Sequence, residues 1–69
     1  MIHPEVADEA VGLLLMLVAD LGEEAASLAV TAPVDLTQRF ARLRQLGEDQ
    51  AVIAAAGKAV LRNRRPPAE

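Results

Sequence analysis

Apolar residues recur at helical spacing through the first half of the chain. They fall three and four residues apart, which places their side chains on one face of an α-helix. The members of this stripe are Ala7, Ala10, Val11, Leu14, Leu17, Val18, Leu21, Ala25 and Leu28. Pro4 suits the first turn of a helix, and Pro33 ends it because the residue before a proline is pushed out of the α region. The pattern predicts one helix over about residues 5–31.

A second apolar stripe with helical spacing occupies the other half of the chain. Its first members are Leu36, Phe40, Leu43 and Leu46. Asp35 is predicted to cap this helix, with Gln38 three residues later completing a pair that resembles a capping box. Pro66 and Pro67 end the segment, since proline cannot continue a helix. Helical structure is therefore predicted over about residues 35–64.

The segment around Gly47 admits two interpretations. Gly47 suits the position just after a helix end and Asp49 suits the cap of a third helix, so the local signals favour a break near residues 47–49. The apolar spacing, in contrast, runs on through Ile53 and Val60, as it would in an unbroken helix. The prediction is an all-α fold, either a three-helix unit or a small helical hairpin.

The composition favours helices that need help from association. Hydrophobic residues make up 52% of the chain, yet Phe40 is the only aromatic residue, and Ala, Leu and Val supply nearly all the apolar surface. A single domain over residues 1–69 buries only about 60% of the surface of its unfolded chain, so it is marginal alone. Because the chain has no cysteine and His3 is its only histidine, neither a disulfide nor a structural metal ion is predicted. We therefore expect oligomerisation to complete a helical bundle.

The charge is divided unequally between the two halves. The net charge is −3, but residues 1–33 contain six acids and no Lys or Arg, whereas residues 34–69 contain seven basic residues and four acids. If the halves pack antiparallel about Pro33, residues whose numbers sum to about 66 face each other. The predicted ion pairs are Glu24 with Arg42, Asp8 with Lys58, and Glu5 with Arg62. The same charges could instead pair between two chains.

The sequence offers little for catalysis. Ser27 is the only serine, and it lies at the other end of the first helix from His3. Glu23 and Glu24 are neighbours whose side chains diverge by about 100° on a helix, so they do not form a carboxylate pair. The chain is predicted to be non-enzymatic, with no catalytic residue, no cofactor and no metal ion.

The N-terminal region predicts neither secretion nor membrane insertion. Its first charged residues are acidic, whereas a signal peptide begins with a basic region. The apolar run Ala10–Ala19 has ten residues, and a membrane span needs about 20. We therefore predict a cytoplasmic protein.

A degenerate helix-turn-helix, and with it a DNA-binding transcriptional regulator, is the main alternative. With Gly47 as the turn glycine, Ile53 falls on the expected aliphatic position, but Leu43 stands where a small residue is wanted. The recognition helix would have Gln50 as its only residue suited to reading bases. Candidate charged contacts to phosphate are Arg39, Arg42 and Arg44. The net negative charge argues against nucleic acid as a partner.

Large apolar residues outside the main stripe indicate a protein interface on the first helix. Leu13 and Leu15 flank the stripe and Met16 lies nearly opposite it, where a surface helix is normally polar. Gly12 beside them would let another helix approach closely. The predicted function is a small helical protein–protein interaction module. It would be either a homodimeric bundle or an adaptor, antagonist or chaperone that binds a larger protein.

Overall fold

The chain forms two long helices arranged as an antiparallel hairpin. The computed structural model describes residues 1–30 and 35–65. Helix α1 spans Pro4–Val30 and helix α2 spans Leu36–Arg62, each with 27 residues, and the molecule measures 57 × 14 × 12 Å. The all-α prediction is confirmed, and of the two predicted architectures the chain adopts the hairpin.

Helix α1 begins with a capped N-terminus. The Nδ1 atom of His3 accepts a hydrogen bond from the Glu5 N–H at 3.3 Å, and the His3 carbonyl accepts one from the Ala7 N–H at 2.9 Å. Pro4 takes the first helical position, where its missing N–H leaves no donor unsatisfied. The predicted start is thus correct to within one residue. The predicted end at residue 31 and the role of Pro33 lie outside the described residues.

Helix α2 has identifiable caps at both ends. The Asp35 carboxylate accepts a hydrogen bond from the Gln38 N–H at 3.2 Å, as expected of an N-cap. At the other end, the Asn63 N–H donates to the Ala59 carbonyl at 3.2 Å, and the Asn63 Nδ2 atom donates to the same oxygen at 2.7 Å. The helix therefore stops at Arg62, two residues before the predicted end. Pro66 and Pro67 are outside the part of the chain that the structure describes.

The predicted break near residues 47–49 is wrong. Helix α2 continues through Gly47 without interruption, and no glycine in the described ranges has a positive φ. The reason is tertiary packing. Leu46 is fully buried and Ile53, two turns later on the same face, is half-buried against α1. An ion pair of 3.2 Å between Arg44 and Glu48 also spans the glycine. These contacts offset the loss of about 1 kcal/mol that a glycine causes in a helix interior.

The two helices meet along a narrow seam of small and aliphatic side chains. Within the described residues, Ala7 and Leu46 are the fully buried ones. Inside the seam, the Nε2 atom of Gln50 donates a hydrogen bond to the Val18 carbonyl at 3.2 Å. A Cβ added to Gly57 would lie 4.0 Å from Leu14 Cδ1, an ordinary van der Waals contact, so this glycine faces α1. Most other apolar side chains stay partly or largely in water.

The open end of the hairpin is closed by a terminal clasp. Residues 2 and 64 form an isolated parallel β-bridge, in which the Ile2 N–H donates to the Asn63 carbonyl at 2.6 Å and the Arg65 N–H donates to the Ile2 carbonyl at 2.7 Å. The Arg64 guanidinium adds two hydrogen bonds to the Asp8 carboxylate, at 3.0 and 3.2 Å. Those hydrogen bonds, assisted by the Arg64 charge, hold the pKa of Asp8 below its ordinary value against a smaller opposing effect of desolvation.

The predicted ion pairs are correct at one end of the hairpin and wrong at the other. Glu24 and Arg42 pair at 2.9 Å, as the antiparallel register requires. Asp8 pairs with Arg64 rather than Lys58, because the chain turns back after Asn63 and brings Arg64 alongside α1. The predicted pair of Glu5 with Arg62 is absent from the three ion pairs found in the described ranges, which are Arg42–Glu24, Arg44–Glu48 and Arg64–Asp8.

Candidate functional site

The hairpin exposes more surface than a compact monomer of its size. Its accessible surface is 5311 Å², whereas the size-scaling rule gives about 4,200 Å² for a compact chain of 7.3 kDa. The excess of roughly 1,100 Å² follows from the rod shape, since two helices leave each other's outer sides uncovered. Much of that outer surface is apolar.

The predicted interface residues are all exposed, but they do not form one surface. Leu15 and Met16 are each 64% exposed, and Gly12 is exposed beside them. With Ala19 these residues have the spacing i, i+3, i+4, i+7, which places them together on one stripe of a helix; this set is the outer patch. Leu13 is also exposed, but a separation of two residues turns it about 160° from Leu15 on the helix. It therefore belongs to the opposite flank of α1.

Glycine in the outer patch has no partner inside the hairpin. A Cβ added to Gly12 would meet no other described atom within 4 Å. A glycine in mid-helix lowers helix stability by about 1 kcal/mol relative to alanine, and packing against α2 gives no reason for it at Gly12. The outer patch is thus an apolar surface that is low at its Gly12 end, where a second backbone has room to approach.

A second apolar surface lies between the two helices, on the flank of Leu13. It is an open groove of about 340 Å³ lined by Leu17, Asp20, Leu21, Asp49, Val52 and Ile53. Leu17 is 50% exposed and Val52 is 68% exposed. Leu13 precedes Leu17 by one turn of α1 and extends the same apolar stripe.

The sequence did not predict the groove. Leu17 is a member of the apolar stripe of the first helix, yet half of its surface is exposed to water. The available signal was Val52 followed by Ile53, because adjacent helix positions diverge by about 100° and cannot both face one neighbouring helix.

The groove has a negatively charged rim. Among the ion pairs of the described residues, none involves Asp20 or Asp49. Arg42 lies two turns before Asp49 on the same stripe of α2, but its guanidinium already makes hydrogen bonds to Glu24 at 2.9 and 3.0 Å and to Gln45 at 2.9 Å. Its guanidinium is therefore already paired with a carboxylate of α1.

The candidate phosphate contacts are largely engaged within the chain. Arg42 pairs with Glu24 and Arg44 pairs with Glu48, while Arg39 is half-buried and takes part in none of the ion pairs of the described ranges. A helix-turn-helix also requires a turn between two helices, and α2 is continuous at Gly47. The turn that this motif would place at Gly47 is therefore absent from α2.

The described residues hold no cluster of three His, Cys, Asp or Glu side chains suited to a metal ion. Neither α1 nor α2 combines the length and apolar character that crossing a bilayer needs. His3 and Ser27 stand near opposite ends of α1, roughly 36 Å apart at about 1.5 Å per residue.

No protein-family model matches this sequence, and comparison with curated proteins and with solved structures likewise gave no match.

Proposed function

We propose that this chain is a non-enzymatic helical protein–protein interaction module, and that the outer patch of α1 is its principal contact surface. The form proposed first is a homodimer, in which two hairpins complete a four-helix bundle in the cytoplasm. The observation that carries the proposal is the pair Leu15 and Met16, which are exposed beside Gly12 on a helix whose opposite side already packs on α2.

The energetics of burial favour association through this surface. Removing a large apolar side chain from water contributes about 1.5–3 kcal/mol, so Leu15 and Met16 together supply several kcal/mol per copy. A standard interface buries about 800 Å² per partner, which is comparable with the excess surface of the hairpin. Methionine adapts readily to an opposing surface, and Gly12 permits close approach of a second helix.

The same surface also suits an adaptor, antagonist or chaperone that binds a larger protein. In that case the hairpin is monomeric by itself and the outer patch is covered only in the complex. The alternative function, which belongs to a different class from protein binding, is DNA binding. It would appear as an affinity for duplex DNA that falls steeply with salt, because phosphate contacts release counterions.

Sedimentation velocity of the full chain and of the double variant Leu15→Glu/Met16→Glu tests the proposal. Both side chains are exposed, so we expect the variant to keep its helical circular dichroism spectrum. We expect the wild-type chain to sediment as a dimer and the variant as a monomer. Leu36→Glu/Phe40→Glu is the matched control, since it makes the same charge change at two exposed apolar positions of α2.

Each of the other outcomes would show which part of the proposal is wrong. An unchanged mass in the double variant would mean that the outer patch is idle. Loss of the dimer in the control alone would move the interface to the start of α2. A variant that unfolds at every concentration would show that Leu15 and Met16 belong to the core.

A further inference from the structure

We infer that the groove is a docking site for a basic amphipathic helix of another protein, distinct from the outer patch. This inference rests on the proposed function, because it assumes that the chain acts by contact with proteins. It adds a second surface and states the chemistry of what binds there: a helix that presents an apolar side chain flanked by Lys or Arg.

The shape of the groove suits an apolar anchor. Its volume of about 340 Å³ is at the lower end of the range of about 300–1,000 Å³ for ligand pockets. Its apolar lining is aliphatic, and the groove runs along the hairpin between the two antiparallel helices. A third helix lying along such a groove places side chains into it at i, i+3, i+4 and i+7 positions.

The charge of the rim decides between a second copy and a basic partner. If two copies met through this surface, the carboxylates of Asp20 and Asp49 from both chains would be brought together, and like charges at an interface oppose association. No ion pair within the described residues neutralises either aspartate. A cationic partner supplies the missing charge.

Three further cations are turned or held away from the groove. Lys58 follows Asp49 by nine residues, which turns it about 180° away on α2. Arg62 follows by thirteen residues, which turns it about 140° away. Arg64 is held in the terminal clasp by Asp8. The negative rim would also repel the phosphates of nucleic acids and anionic lipids.

A synthetic helical peptide of Leu and Lys at amphipathic spacing is the probe for this site. We expect NMR titration of the full chain to shift the methyl resonances of Leu17 and Val52, with no corresponding change at Leu15. A peptide of the same pattern with Glu in place of Lys should bind more weakly, and added salt should weaken binding of the Lys peptide.

Two isosteric substitutions test the contribution of the rim. We expect Asp20→Asn/Asp49→Asn to weaken binding of the Leu/Lys peptide about fivefold to tenfold, the effect of losing two exposed charge pairs. Glu5→Gln/Glu23→Gln changes the net charge equally on the outer side of α1 and should leave the affinity unchanged. Equal losses in the two double variants would show a general charge effect and overturn the inference.

Variants of the walls separate this inference from the proposed function. Val52→Gln should weaken peptide binding without changing the sedimenting mass, whereas Leu15→Gln should leave peptide binding unchanged. If Val52→Gln instead dissociates a dimer, the groove is a contact between copies and the inference is wrong while self-association stands. Absence of shifts at Leu17 and Val52, or equal affinity for the Glu peptide, would also overturn it. If sedimentation shows that the outer patch does not mediate self-association, the results of these peptide measurements are unaffected.

Discussion

Leu46 and Leu15 are the same residue type on two helices of equal length, and they occupy opposite environments. Leu46 is fully buried in the seam, whereas Leu15 is 64% exposed in the outer patch. The seam already joins α1 to α2, and no third helix among the described residues covers the other side of α1. Leu46 stabilises the hairpin. Leu15 contributes nothing to the seam, and the proposed contact with another molecule depends on it.

The seam and the outer patch each contain a glycine, and the surroundings of the two glycines differ. Gly57 lies in the seam, where an added Cβ would make an ordinary van der Waals contact of 4.0 Å with Leu14. Gly12 lies in the outer patch, where a Cβ would meet nothing within 4 Å. Gly12 and Gly47 both lower helix stability with no contact inside the hairpin to account for it. Gly12 differs from Gly47 in lying beside the exposed Leu15 and Met16, which is why it is included in the proposed contact surface.

The largest expected difference between the two regions is in the free energy of unfolding. Leu46→Ala should lower it by about 2–5 kcal/mol, because it removes buried methyl groups and leaves a cavity. Leu15→Ala should change it by less than about 0.5 kcal/mol when measured on the monomer, as for ordinary surface positions. Urea denaturation at low protein concentration, followed by circular dichroism, measures both. Comparable losses for the two variants would mean that Leu15 is covered within the hairpin.

Much of the hairpin was predictable because its signals are local. Apolar spacing, Pro4 and the Asp35 cap are each read from a few neighbouring residues, and they place the described helix ends to within about two residues. The pair of Glu24 with Arg42 was predictable because it follows from an antiparallel register alone. Asp8 with Arg64 was not, since it depends on how the chain turns after α2 ends.

The errors arise where local and tertiary signals conflict. Gly47 and Asp49 have the local signature of a helix end, but the burial of Leu46 and Ile53 on one face keeps α2 continuous. The groove was missed for a related reason. Which flank of an apolar stripe stays open depends on how many helices cover it, and the same stripe that includes Leu17 would have been buried in a three-helix unit.

A smaller difference in stability and self-association is expected between variants of Gly12, in the outer patch, and of Gly47, elsewhere on the surface. Gly12→Ala and Gly47→Ala each place a methyl group in open space on a continuous helix, so both should stabilise the monomer by about 0.5–1 kcal/mol. Gly12→Ala should also weaken the dimer, because the methyl group keeps the second helix at a distance, whereas Gly47→Ala should not. Thermal denaturation and sedimentation velocity give the two readouts.

Either glycine variant can contradict the structure. A loss of stability in Gly47→Ala would indicate a left-handed glycine at a helix break, which alanine does not tolerate. An unchanged dimer in Gly12→Ala would mean that no backbone approaches the outer patch closely at this residue, although Leu15 and Met16 could still lie in the interface.

The smallest expected effect is a pH dependence confined to the terminal clasp. Hydrogen bonds from Arg64 lower the pKa of Asp8 in the folded chain, so the folded state favours the ionised carboxylate more than the unfolded state does. The resulting stabilisation is present above the ordinary pKa of an aspartate and is lost as the pH falls through the lowered folded value.

Asp8→Asn should therefore reduce the urea midpoint slightly at neutral pH and remove part of its decline in acid. Glu9→Gln is the control, since Glu9 takes part in no ion pair of the described ranges. The effect should weaken in high salt because the pair is exposed. An acid profile that Asp8→Asn leaves unchanged would show that the ion pair between Asp8 and Arg64 does not form in solution.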